Sequence, residues 1–326
     1  MSGPPTIEDV RAAAKRLEGV ARRTPILSAP QIDEMAGRRV LVKAECLQRT
    51  GSFKFRGAWS RVSALGDDEL RRGVLGYSSG NHAQAVALSA RLRGGPAVIV
   101  MPKDAPRAKI EATRGYGAEV VLYDRENEAR EKIGAGIAAE RGLTVIPPYD
   151  DPHVIAGQGT CGLEIAAEAG VSRADVLVCC GGGGLSSGIA LALEAEAPGL
   201  RVRPAEPSGF DDFARSLARG ERVANDRLGG SVQDAILTPT PGALTFPVAE
   251  RLFGPGLSVT DDEALEAVAL AWRWLRVVLE PGGACALAAA LFRRDAIQGD
   301  AVIVTASGGN VDRHVFDRAL DRLEAA

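Results

Sequence analysis

The chain predicts an α/β protein built on two open, mostly parallel twisted sheets covered by helices. Three observations predict it. Short apolar runs of strand length recur along the sequence, and most are continuously apolar rather than alternating, as strands buried on both faces require. Segments of helix length separate them, the alternation that parallel sheets impose. Finally, loops rich in Gly, Ser and Asn follow three of these runs directly, and ligand sites of open parallel sheets collect beyond the carboxyl ends of strands.

Taken in order, residues 8–21 carry apolar side chains at helical spacing (Val10, Ala13, Leu17, Val20), and Thr24-Pro25 stops that helix. Residues 39–45 read as a strand with Val40 and Val42 on one face and Leu41 and Lys43 on the other. Further strands are predicted at 73–77, 97–101, 118–123, 143–146, 174–180, 200–205 and 300–306, with helices at 81–93, 106–115, 125–141, 184–197 and 314–325. The four strands between 73 and 148 suffice for a small inserted domain, leaving 1–72 and 149–326 to a larger one. Residues 219–254 lack periodicity and are rich in Pro and Gly, which suits a long connection near a site or a partner surface.

A chain of 326 residues, 46% hydrophobic, fills substantial cores. Its net charge of −3, with both signs interspersed, offers no nucleic-acid footprint and no attraction to an anionic membrane. The first residues lack the apolar core of a signal peptide and no run approaches a bilayer span, so a cytoplasmic protein handling small molecules is expected. The five cysteines, Cys46, Cys161, Cys179, Cys180 and Cys285, form no CxxC pair and read as buried thiols. With three histidines, acid and base chemistry is expected from other residues.

Lysine is scarce: six lysines stand among 39 basic residues. Lys54 nonetheless sits between Phe53 and Phe55, after the turn Thr50-Gly51-Ser52. Apolar neighbours that desolvate an ammonium favour the neutral amine, the form that attacks a carbonyl. The strongest loop signal is Gly181-Gly182-Gly183-Gly184, between a strand and an apolar helix. Consecutive glycine N–H groups and a helix terminus make an anion cradle. Gly181, Gly183 and Ser186, with Glu206 beyond the next strand, also fit a dinucleotide fingerprint. No Lys-Ser or Lys-Thr pair follows the glycines, which disfavours a nucleotide triphosphate loop. Ser78-Ser79-Gly80-Asn81-His82 and Ser307-Gly308-Gly309-Asn310 are two further loops placed after strands.

Together these four ordered motifs resemble the fold-type II pyridoxal phosphate enzymes, within them the serine/threonine dehydratase and serine racemase group. The resemblance runs from Thr24-Pro25 to Val311-Asp312. It implies that Lys54 holds the cofactor aldehyde as a Schiff base, that Phe53 lies against the ring, and that Asn81 bonds its phenolic oxygen. It also implies that Gly181 to Gly184 and the Leu185 amide hold the phosphate, that Ser307 meets the pyridine nitrogen, and that Glu280 lies near the ring edge. Ser52, Ser78, Ser79, Asn81 and His82 would grip the substrate carboxylate.

The implied reaction is dehydration and deamination of L-serine and L-threonine to a 2-oxo acid and ammonia. Ser79 is the residue type that serine racemases use as an acid/base on the opposite cofactor face, so racemisation is one alternative. Dehydration of 3-hydroxyaspartate, with Arg125 or Arg130 meeting a second carboxylate, is another. A nicotinamide-dependent oxidoreductase and a non-catalytic amino-acid sensor are more distant. Glu206-Pro207-Ser208-Gly209-Phe210-Asp211-Asp212 is similar to the cation site of serine racemases, implying Mg²⁺ or Ca²⁺ on Glu206, the Phe210 carbonyl and Asp212. A homodimer is usual in the resembled group. The chain stops after the last predicted helix, so isoleucine feedback through an appended domain is not expected.

Overall fold

The computed structural model describes residues 3–323 except 79, 106, 125, 126 and 228. Ten strands are found among them: β1 Ile26–Leu27, β2 Arg39–Lys43, β3 Val74–Tyr77, β4 Ala97–Pro102, β5 Glu119–Tyr123, β6 Thr144–Val145, β7 Ala174–Cys179, β8 Leu200–Pro207, β9 Leu257–Val259 and β10 Ala301–Thr305. They form a six-stranded sheet in the order β1-β2-β10-β7-β8-β9 and a four-stranded sheet in the order β5-β4-β3-β6. Every pairing is parallel except β1 with β2.

The central strands of both sheets are buried on both faces, which is why they are apolar without alternation, whereas the edge strand β5 exposes Glu119 and Leu122. In the larger sheet, Val40, Val42, Leu177, Val302 and Val304 share a core with the alanine-rich helix Pro281–Phe292. Leu41, Val176, Val178 and Ile303 face the helices Pro152–Glu168 and Gly184–Glu196. The two-residue period predicted for β2 holds. Lys43, on the Leu41 face, is wholly buried and donates to Glu164 at 2.6 Å and to the Thr24 carbonyl at 2.6 Å.

The first helix, Ile7–Leu17, begins with a reciprocal cap in which the Thr6 N–H donates to Asp9 Oδ2 at 2.8 Å and the Asp9 N–H donates to Thr6 Oγ1 at 3.4 Å. It ends before the 21 expected from spacing. The helix predicted over 125–141 begins at Arg130; 125 and 126 lie outside the described residues. Strands β1 and β9, two and three residues long, carry too few side chains to show a period and were not predicted.

Strands β2, β10 and β7 are neighbours, and the chain leaves each at the same edge: β2 toward Lys54, β7 toward the tetraglycine and β10 toward Ser307. The smaller sheet contributes the loop after β3. Among the described residues no helix is long and apolar enough to cross a membrane.

Candidate active site

Lys54 opens the helix Lys54–Ser63, reached through a tight turn at Arg49–Gly51 in which Thr50 takes a left-handed φ of 59°. This turn is stitched to the loop after β10. The Phe53 N–H donates to the Ser307 carbonyl at 3.0 Å, the Gly309 N–H donates to the Gly51 carbonyl at 2.9 Å, and Ser52 pairs with Gly308 as an isolated bridge. Lys54 and Ser307, 253 positions apart in sequence, are therefore fixed side by side.

Two residues on, Arg56 anchors the same helix in a buried ion cluster. Its guanidinium donates to Glu45 Oε2 and Glu164 Oε1, both at 2.7 Å, and Arg56 and Glu45 are almost entirely buried. Among the described residues the Lys54 amine makes no ion pair with a carboxylate. Nζ donates to the Pro148 carbonyl at 2.8 Å and lies 5.0 Å from the Phe53 ring centre. Burial pushes its pKa down to about 8, against a smaller upward pull from Glu280.

The tetraglycine leads into the helix Gly184–Glu196, with Gly183 at φ 88°, a region open to glycine. A Cβ on Gly182 would fall 2.3 Å from the Tyr149 ring, and one on Gly183 would fall 2.5 Å from Phe213. Side chains cannot be added here, so the cradle wall is backbone. Lys54, Phe53, Tyr149, Leu185 and Thr238 line the same cleft as the four glycines. Thr238 Oγ1 is buried without a hydrogen-bond partner among the described residues, as is Ser52 Oγ. An amine, a row of backbone donors at a helix N-terminus and an unspent hydroxyl suit a phosphorylated aldehyde.

This cleft adjoins a cavity of about 390 Å³ that Lys54, Asn81, Glu280 and Ser307 share. Asn81 Nδ2 donates to Glu280 Oε1 at 2.5 Å, and Asn81 Oδ1 accepts from Asn310 Nδ2 at 2.7 Å. Burial pushes the Glu280 carboxyl up to about 7, with the Asn81 bond opposing it. His82 Nε2 lies 2.8 Å from the Ile146 carbonyl, which can only accept, so this nitrogen carries the ring proton. Burial first, then the Lys54 charge, lowers the His82 pKa to about 3 and keeps the ring neutral. Ser78 Oγ accepts from the Gly80 N–H at 3.2 Å and its residue lines the cavity. Ser79 lies outside the described residues, and so does Arg125. Arg130 lines the cavity, its guanidinium 5.7 Å from the centre of the Tyr77 ring.

The proposed cation ligands lie apart from this cavity. Glu206 accepts from the Phe213 and Ala214 N–H groups, each at 2.8 Å, at the start of the helix Asp212–Arg219. That position is buried and serves a backbone turn, which removes the ribose ligand of the dinucleotide reading. Asp212 Oδ1 accepts from Asn225 Nδ2 at 2.6 Å, while its other oxygen is buried without a partner among the described residues. Phe210 is buried beneath Arg227. Burial raises Asp212 to about 6 and Glu206 well above the usual carboxylate range. Among the described residues no cluster of three or more His, Cys, Asp or Glu side chains could hold a metal.

Sequence reasoning missed Tyr149, Thr238 and the side chain of Asn310. Tyr149 and Thr238 sit in connections without a motif, and only the fold brings them to the tetraglycine. The Pro/Gly-rich stretch 219–254, expected to wrap near a site, supplies Thr238.

The family model for pyridoxal-phosphate dependent enzymes matches residues 17–308. The chain belongs to that family. Pyridoxal phosphate is accordingly its cofactor, and the cleft joining Lys54 to the tetraglycine fits it. The chain is 44% identical to an L-threo-3-hydroxyaspartate ammonia-lyase from Pseudomonas sp, over 93% of this chain and 95% of that protein. It is 41% identical to serine racemase from Schizosaccharomyces pombe, over 94% and 95%. Among solved structures it resembles a threonine deaminase from T.th. with a TM-score of 0.89 and 41% identity, over 94% of this chain and 99% of that one. These three relatives carry three different activities at nearly equal identity.

Proposed function

We propose that this chain is an ammonia-lyase that dehydrates and deaminates L-serine and L-threonine to a 2-oxo acid and ammonia. The observation that carries the proposal is the single cleft shared by the Lys54 amine and the backbone cradle of Gly181 to Gly184 and Leu185. Bound pyridoxal phosphate supplies an aldehyde that captures the substrate amine and an electron sink that acidifies the α-hydrogen. Lys54 would hold that aldehyde, and its free amine would take the α-proton of the substrate, a task suited to a pKa near 8.

Phe53 would lie against the cofactor ring, Asn81 would donate to its phenolic oxygen, and Glu280 would stand at its edge. Ser307 would offer the pyridine nitrogen a hydroxyl. A hydroxyl favours a protonated pyridine less than a carboxylate does, which turns the reaction toward loss of the β-hydroxyl. The hydroxyls of Ser52, Ser78 and Ser79 and the backbone amides of Ser78 to His82, those of Asn81 and His82 included, hold the substrate carboxylate. Residues 73–148 act as a small domain against a larger one formed by 1–72 and 149–326, with the substrate between them.

A second reading, dehydration of 3-hydroxyaspartate, is favoured by Arg130 and Lys109, two cations in the cavity wall able to meet a second carboxylate. Racemisation rests on Ser79. A panel of L-serine, L-threonine and L-threo-3-hydroxyaspartate, scored for 2-oxo acid and for D-isomer, ranks the three. Release of no 2-oxo acid from any of them would overturn the proposal, and Ser79→Ala should remove D-serine formation while sparing elimination.

We further assign Mg²⁺ or Ca²⁺ to Glu206, the Phe210 carbonyl and Asp212, with water completing an oxygen shell. The partnerless buried oxygen of Asp212 supports this. We also assign a homodimer, and a cytoplasmic setting in keeping with five free buried cysteines.

A further inference from the structure

Asn310 has no role in the account above and is not in the wall of the Lys54 cavity, yet it touches a residue that is. Its Nδ2 donates 2.7 Å to Asn81 Oδ1 and 2.7 Å to the Thr50 carbonyl. The Thr50 carbonyl only accepts, so the orientation of the Asn310 amide is determined. That orientation determines the next one. With Oδ1 of Asn81 held by Asn310, its Nδ2 must face Glu280 Oε1, 2.5 Å away. A flipped Asn81 would set NH₂ against NH₂ on one side and oxygen against carboxylate on the other.

One hydrogen of Asn81 Nδ2 is spent on Glu280, and the second remains for the cavity that Asn81 lines. The far end of the chain of bonds is equally constrained. The Thr50 carbonyl is presented by a left-handed turn unusual for threonine. Gly51 leaves room for the Asn310 amide, since a Cβ there would fall 2.5 Å from Asn310 Oδ1. The relay thus ties the turn before Lys54 to the residue facing it across the cavity.

We propose that Asn310 is a positioning residue, anchored on the Thr50 carbonyl, that holds the Asn81 amide with one N–H turned toward the cofactor oxygen. The inference rests on the reading in which Asn81 donates to that oxygen. A hydrogen bond to it favours the ionised oxygen, so loss of the bond changes the visible absorbance of the holoenzyme and its pH dependence.

The test compares holoenzymes of the unaltered chain, Asn81→Ala, Asn310→Ala, Asn310→Asp and the double alanine variant, by visible absorbance against pH, pyridoxal phosphate Kd and melting temperature. Asn310→Ala should shift the pH midpoint of the band in the direction that Asn81→Ala shifts it. It should also weaken cofactor binding about fivefold, the worth of one neutral hydrogen bond. Asn310→Asp, nearly isosteric but without the two N–H donors, should do the same and covers the case in which the alanine variant does not fold. In the Asn81→Ala background, Asn310→Ala should add nothing to the spectral shift. An Asn310 variant with an unaltered band and Kd, or a shift that persists in full without the Asn81 amide, overturns the inference. An unaltered band in Asn81→Ala instead overturns the reading beneath it.

Discussion

Lys54 is low in pKa because its amine is desolvated and donates to the neutral Pro148 carbonyl, while the charge of Glu280 pulls the other way. The neutral amine is the one that reacts, so capture of pyridoxal phosphate by the apoenzyme should quicken with pH and level off above about 8. Stopped-flow absorbance across the neutral range checks it; a flat profile contradicts it. Glu280→Gln removes the upward pull and should move the midpoint to lower pH. Glu280 also makes a claim on stability. Its folded pKa, about 7, lies above the ordinary 4.5, so the folded state holds the extra proton between those values. The stabilisation it gives is full below 4.5 and is lost as pH rises through about 7. The melting temperature of Glu280→Gln relative to the unaltered chain should therefore climb across that window and then stay level; a difference independent of pH contradicts it. Lys54 was legible because a lysine flanked by phenylalanines in an arginine-rich chain is out of place. Asn310 was legible as part of a loop, but not as a partner of Asn81, because the 229 positions between them are bridged only by the fold.

At the scale of elements, the tetraglycine turn works by what it lacks. Gly182→Ala would push a methyl into the Tyr149 ring, an overpacking worth about 1–3 kcal/mol. Equilibrium dialysis should find pyridoxal phosphate binding weakened about tenfold or more with circular dichroism unchanged; unaltered affinity would mean that the phosphate rests elsewhere. The helix behind Lys54 depends on a different contact. Arg56→Ala leaves Glu45 buried without its cation and should cost roughly 3–5 kcal/mol in denaturant unfolding; a loss below about 1 kcal/mol would show that the cluster does not hold the helix. Eight of the ten strands were legible, the central ones because burial on both faces leaves continuous apolar runs, and β5 and β6 from the apolar residues of 118–123 and 143–146. The edge strands β1 and β9 were not, because two or three residues with no apolar run around them cannot display a period, whereas the equally short β6 lies in the apolar run 143–146. The helix at Arg130–Arg141 was predicted to start too early, since charged residues at helical spacing do not mark a boundary.

Across the whole molecule, parallel pairing carries the loops after β2, β7 and β10 to one edge of the larger sheet, where the loop after β3 of the smaller sheet meets them. The order of motifs along the chain gave no hint of which loops would touch. Their meeting follows from the strand order, in which β10 inserts between β2 and β7. The cation assignment belongs to this scale because Glu206 and Asp212 tie β8 to the helix after it. Mg²⁺ or Ca²⁺ should raise the melting temperature of the unaltered chain and leave Asp212→Asn unmoved; equal shifts in both would place the ion elsewhere. The central claim is the covalent attachment of the cofactor to Lys54, and borohydride reduction of the purified holoenzyme followed by peptide mass analysis tests it most directly. The account predicts a visible band that bleaches on reduction and a cofactor mass fixed on the peptide containing Lys54. A protein left colourless by pyridoxal phosphate, or a label on any other lysine, would contradict it.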